Sequence, residues 1–172
     1  MKTYFTTAIT ACLGIILLTP LTTHASITGH AYRFGNQQAL YLIEFSFVTK
    51  DNDYYIPVRA MNYPQEIANT VTYDVANDMV NTLSAATASL VLSNQPVVDG
   101  HYHIPAGETG EFTLVVFAEI DNPDPLQRYR VDVNALPHLI GTKKTKTEVS
   151  DTALDYLTTP GIQFPLVIGG GK

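Results

Sequence analysis

Residues 102–135, reading YHIPAGETGEFTLVVFAEIDNPDPLQRYRVDVNA, constrain the fold more than any other part of the chain. Phe112, Leu114, Val116, Ala118 and Ile120 alternate with Glu111, Thr113, Val115, Phe117 and Glu119. Period-two spacing places the first set on one face of a β-strand. After the turn-forming run at 121–125 (DNPDP), Tyr129, Val131, Val133 and Ala135 alternate with Arg130, Asp132 and Asn134. This is a second strand with one apolar and one polar face. Two such strands require a further sheet to cover their buried faces, which points to a β-sandwich.

The rest of the chain repeats the pattern. Residues 39–48 (ALYLIEFSFV) put Tyr41, Ile43, Phe45 and Phe47 on one face and Leu40, Leu42, Glu44, Ser46 and Val48 on the other. The aromatic and β-branched content suits a pleated surface. A turn at 50–53 (KDND) then leads to 54–61, which reads as the partner strand of a hairpin, with Pro57 marking an edge or a bulge. Val71, Tyr73 and Val75 alternate with Thr70, Thr72 and Asp74 in another strand, and short strands are expected near 30–34, 88–92 and 97–98. Residues 78–83 read as a helical turn or a loop, 137–147 as a loop, and 148–157 as helix-like or irregular. The core expected from these strands contains Ile43, Phe45, Phe112, Leu114, Val116, Val131 and Val133. About seven short strands between frequent turns are the pattern of an immunoglobulin-like antiparallel β-sandwich. Few helices separate them, so a parallel βαβ arrangement is not expected.

Three segments are anticipated in the 172-residue chain: an export signal at 1–25, the sandwich at 26–160, and a terminal strand with a Gly-rich tail at 161–172. Lys2, the apolar block at 13–18 and the small residue Ala25 before Ser26 form the signal. That block is shorter than the roughly 20 apolar residues needed to span a bilayer. Residues 9–12 (ITAC) give an alternative, a lipoprotein anchored at Cys12, although the main apolar run follows the cysteine rather than preceding it. Cleavage after Ala25 leaves no cysteine, so the exported domain would rely on its core rather than on disulfides. The expected location is secreted, periplasmic or cell-surface.

Sixteen acidic residues against ten basic ones argue against nucleic acid or anionic lipid as a general partner. Catalytic signatures are missing: there is no G-x-S-x-G elbow, no H-E-x-x-H and no phosphate-binding glycine loop leading into a helix. Asp99, His101 and His103 alternate, and a strand would turn them to one face as ligands for Zn or Cu. Their spacing of nearly 7 Å along a strand is awkward for a tight site, and a solvated strand edge is the plainer alternative. The acidic turns at 51–53 and 121–124 offer oxygens of the type Ca²⁺ takes, but lack the glycine and distal glutamate of an EF-hand loop. Ten tyrosines and no tryptophan point instead to contact surfaces, with Tyr54, Tyr55 and Tyr63 grouped near one hairpin. Ile162, Phe164 and Leu166 alternate as a terminal strand would, interrupted by Pro165. Such a tail either pairs with its own sheet or lends a strand to a neighbour, which would allow homo-assembly.

Residues 104–109 (IPAGET), followed by Phe112–Thr113–Leu114 and later by Tyr129–Arg130–Val131, resemble bacterial surface immunoglobulin-like domains. The segments at 40–42 (LYL) and 55–58 (YIPV) look like those of uncharacterised exported proteins of candidate-phylum bacteria. The chain lacks the paired cysteines and core tryptophan of antibody domains. The resemblance implies a fold and an exposed location rather than a chemistry. The expected function is a non-catalytic surface module acting through protein or cell-envelope contacts, with no cofactor. A secreted metal protein or enzyme using Asp99, His101 and His103 is the alternative.

Overall fold

The computed structural model describes residues 27–80, 82–141, 145–148, 154 and 157–165. The expected signal at 1–25, Cys12, most of the helix-like stretch at 148–157 and Leu166 lie outside the described residues. Among the described residues every named element is a strand, and the count of twelve exceeds the about seven expected because several strands are only two to four residues long. No helix among the described residues is long and apolar enough to cross a membrane.

The strands form three sheets, mostly antiparallel, around one continuous core, consistent with a β-sandwich. The largest pairing joins β2 (Gln38–Val48) and β9 (Thr109–Glu119), in register from Gln38↔Glu119 to Val48↔Thr109. β1 (Ile27–Phe34) borders β2, and β6 (Ala86–Ser93) borders β9, giving the order β1-β2-β9-β6. A second sheet has the order β10-β5-β4, from β10 (Tyr129–Ala135), β5 (Val71–Asn77) and β4 (Ala60–Asn62), with β4 parallel to β5. The third is β12-β11-β3-β8-β7, from β12 (Thr145–Glu148), β11 (Pro137–Ile140), β3 (Tyr54–Pro57), β8 (His101–Ile104) and β7 (Val97–Val98).

The alternation in β2 and β9 places the residues as the sequence predicts. Tyr41, Ile43, Phe45, Phe112, Leu114 and Val116 are buried, as are Val131 and Val133 of β10. Phe45 stacks on Phe112 at 5.4 Å, and the Tyr41 hydroxyl donates to the Tyr129 carbonyl (3.3 Å), joining the first sheet to the second. Burial, and then the neighbouring Tyr129, push the Tyr41 phenol well above its ordinary range.

Two expectations are corrected. The strands β2 and β3 are not a hairpin: the chain leaves the first sheet after Val48, and Tyr54 to Pro57 pair with β8 and β11 in the third. Pro57 ends β3 at a position paired on one side only, opposite His101 of β8, where the missing N–H breaks little of the ladder. The loop expected at 137–147 contains the β11–β12 hairpin. Both faces of β5 are buried, Thr72 and Asp74 as well as Val71 and Tyr73. The alternative of a helical turn at 78–83 is not taken up: Asp78 and Met79 bend, and Asn77 Oδ1 accepts the amides of Met79 and Val80.

Residues 157–164 run between β1 and β10. Ile162 exchanges backbone hydrogen bonds with Tyr129 (2.7 and 2.9 Å), Leu157 accepts from Val133 (3.0 Å), and Thr159 donates to Val131 (3.0 Å). Phe164 is buried and meets the Tyr129 ring edge-on at 5.4 Å. On the other side Arg33 donates to the Gln163 carbonyl (3.1 Å). Gly29 permits this approach: a Cβ there would lie 2.9 Å from the Thr159 Cα and still closer to the Thr158 carbonyl. Ile162 and Phe164 are thus part of the same core as the sheets.

Candidate functional site

The outer face of the four-stranded sheet follows from the same alternation that builds the core. With Tyr41, Ile43 and Phe45 turned inward, Leu40, Leu42 and Glu44 must point outward. The register then aligns rows across all four strands. Tyr32, Leu40, Phe117 and Ala88 form one row, and His30, Leu42, Val115 and Leu90 the next. Tyr32, Phe34, Leu90, Leu92 and Phe117 are all more than a third exposed. An apolar band thus crosses the sheet, although surface residues of this kind normally occur singly.

Carboxylates border the band. Glu44, Glu111 and Glu119 are exposed on the same face, and none of its outward-pointing strand residues is Lys or Arg. A cleft of about 560 Å³ lies at one end of the band, walled by Glu44, Glu111, Leu92 and Asn94 over Ser46. Ser46 is buried, and its hydroxyl has no hydrogen-bond partner among the described residues. The cleft thus combines two carboxylates, an unsatisfied hydroxyl and an apolar lip, a setting that suits a cationic side chain with an aliphatic stem.

The residues singled out from sequence are distributed differently. His101 and His103 lie on β8 as anticipated, yet they do not converge with Asp99. The Nδ1–H of His101 donates to the Asp99 backbone carbonyl (2.9 Å). Its Nε2 is buried, with no hydrogen-bond partner among the described residues. His103 pairs instead with Asp53 (3.0 Å) and stacks on Tyr55 at 4.8 Å. The His103 hydrogen bond, then the Ala106 amide, hold the Asp53 carboxyl below its ordinary range. Among the described residues no group of three or more His, Cys, Asp or Glu is placed to hold a metal ion.

In the acidic turns, Asp53 accepts from the distant Ala106 amide and Asp124 from the nearby Leu126 amide. The tyrosines do not form one surface. Tyr54 packs against Phe47 and His138, Tyr55 turns to the opposite face of β3, and Tyr63 is exposed beside β5. Ile162 and Phe164 pair and pack within their own chain. The outer-face band went unassigned because its residues sit on the face that alternation marks as polar. The signal was present in Leu40, Leu42, Val115 and Phe117, since strands apolar on both faces have something to cover each face.

Comparison with protein-family models, with curated proteins and with solved structures gives no match.

Proposed function

We propose that the protein is a non-catalytic, secreted or cell-surface binding module of immunoglobulin-like type that acts through protein contacts on the outer face of its four-stranded sheet. The observation that carries this reading is the apolar band from Tyr32 to Leu90, bordered by carboxylates. An apolar centre with a polar rim is the usual anatomy of a protein interface. The lack of Lys and Arg among the described outward-pointing strand residues of that face favours a partner with a basic rim over a second copy, whose glutamates would meet like charges. Tyr129 supports the immunoglobulin-like topology: its hydroxyl accepts the Asp124 amide (2.7 Å), five residues upstream, in the manner of a tyrosine corner.

A photo-crosslinking residue placed at Phe117 in the producing cell tests the proposal. It should give a discrete heterologous adduct that weakens with added salt, while the same residue at Leu126, exposed elsewhere, should give none. Equal adducts from both positions would remove the case for this face. An adduct at twice the chain mass would assign it to homo-assembly instead.

A further inference from the structure

A second cleft, of about 520 Å³, lies on the far side of the fold, where the closing segment crosses β10. Its floor is a single row: Thr158 bridges to Asp132, which is directly opposite Asp74 on β5. Two carboxylates face each other across an antiparallel pair, an arrangement that is unfavourable without compensating charge. Among the described residues a cation compensates one of them. Arg130 Nε donates to both oxygens of Asp132 (3.1 and 2.9 Å), and the Thr158 hydroxyl donates to Asp132 as well.

Among the described residues Asp74 receives no cation. It is 7 % exposed, and only its Oδ2 is bonded, by Thr82 (3.2 Å) and Asn134 (2.8 Å). Its Oδ1 has no hydrogen-bond partner among the described residues. A buried acceptor left unpaired in this way calls for an explanation, and an absent bound group is one. The register shifts between Val133 and Ala135, so Asn134 is the bulged residue that reaches over to Asp74 and to the Tyr63 carbonyl. Bulges that re-aim a side chain are common beside functional sites.

We propose that this cleft binds a primary ammonium group, with the unpaired Asp74 oxygen as its anchor. The two carboxylates exceed the one guanidinium, so the cleft favours a cation over an anion. A hard divalent ion would need six or more oxygen ligands, whereas Asp132 is already committed to Arg130 and Thr158. An ammonium has only three protons to place. Leu154 in the wall gives its carbon stem apolar contact. A small amine and a lysine side chain share this chemistry.

The test titrates ¹⁵N-labelled protein with n-butylammonium chloride at constant ionic strength, with n-butanol and CaCl₂ as controls, and repeats the series with a lysine-containing tripeptide. The amine should produce a saturable shift of the Asn134 side-chain amide, and butanol none. Tighter binding of the tripeptide would indicate a protein-borne lysine, and equal binding a free amine. Asp74→Asn should bind about tenfold more weakly. Arg130→Gln, which removes the competing cation, should bind more tightly, a result that does not depend on the Asp74 variant folding. The proposal is overturned if the amine causes no saturable shift, if butanol or calcium matches it, or if Arg130→Gln leaves the affinity unchanged.

Discussion

Phe164→Ala tests whether the closing segment belongs to its own core. Phe164 is 2 % exposed, sits edge-on to Tyr129 and follows the paired Ile162. Truncating a buried phenylalanine to alanine costs about 3–5 kcal/mol, through lost transfer energy and the cavity left behind. The two backbone bonds at Ile162 contribute roughly 0.5–1.5 kcal/mol each, and loosening the segment puts them at risk as well. Against a typical total stability of about 5–15 kcal/mol, this is a large fraction. For a domain of this size it corresponds to a fall in Tm of roughly 10–15 °C. The assay is urea unfolding followed by circular dichroism, with sedimentation to fix the oligomeric state. Deletion after Pro160 should destabilise the monomer in the same sense. A loss below about 1 kcal/mol with an altered oligomeric state would refute the reasoning and show that the tail serves a neighbouring chain.

Three further outcomes are expected. Leu114→Ala, at a fully buried position in β9, should cost about 2–5 kcal/mol in the same unfolding assay. Gly29→Ala should force the Thr158–Thr159 backbone away, cost about 1–3 kcal/mol, and speed amide exchange at Thr159 and Ile162; unchanged exchange would mean that the close approach is not needed. The Asp53 carboxyl should titrate below its ordinary 3.8, and His103→Phe should raise it, as read from its side-chain carbon resonance. Because the folded value is depressed, stability from this contact is fully present above the unfolded value and is lost as pH falls through the folded one.

The inward faces of β2 and β9 were legible because strict alternation needs no knowledge of partners. Pairing was not legible. The strands 109–119 and 129–135 look like neighbours in sequence, yet the DNPDP run carries the chain from one sheet to another. β11 and β12 are short and rich in Pro, Lys and Thr, so local preference marked them as loop. The acidic cleft behind β10 was hidden for a different reason. Asp74 and Asp132 are both ordinary polar positions on alternating strands, and only the β5–β10 register sets them opposite each other. The bulge that aims Asn134 at Asp74 has no composition signal, since neither Gly nor Pro marks it. His101 and His103 misled because shared spacing along a strand does not fix which neighbours each side chain meets across it.

The most direct test of the contact face is a double variant, Leu90→Lys with Leu92→Lys, in the background carrying the crosslinker at Phe117. Both leucines are nearly half exposed, so folding should be little affected, with a change within about 0.5 kcal/mol per site. Two positive charges would then face a partner with a basic rim, next to the cleft walled by Glu44 and Glu111. The account predicts an unchanged melting curve and loss of the heterologous adduct. An adduct formed in undiminished yield by the folded double variant would contradict it.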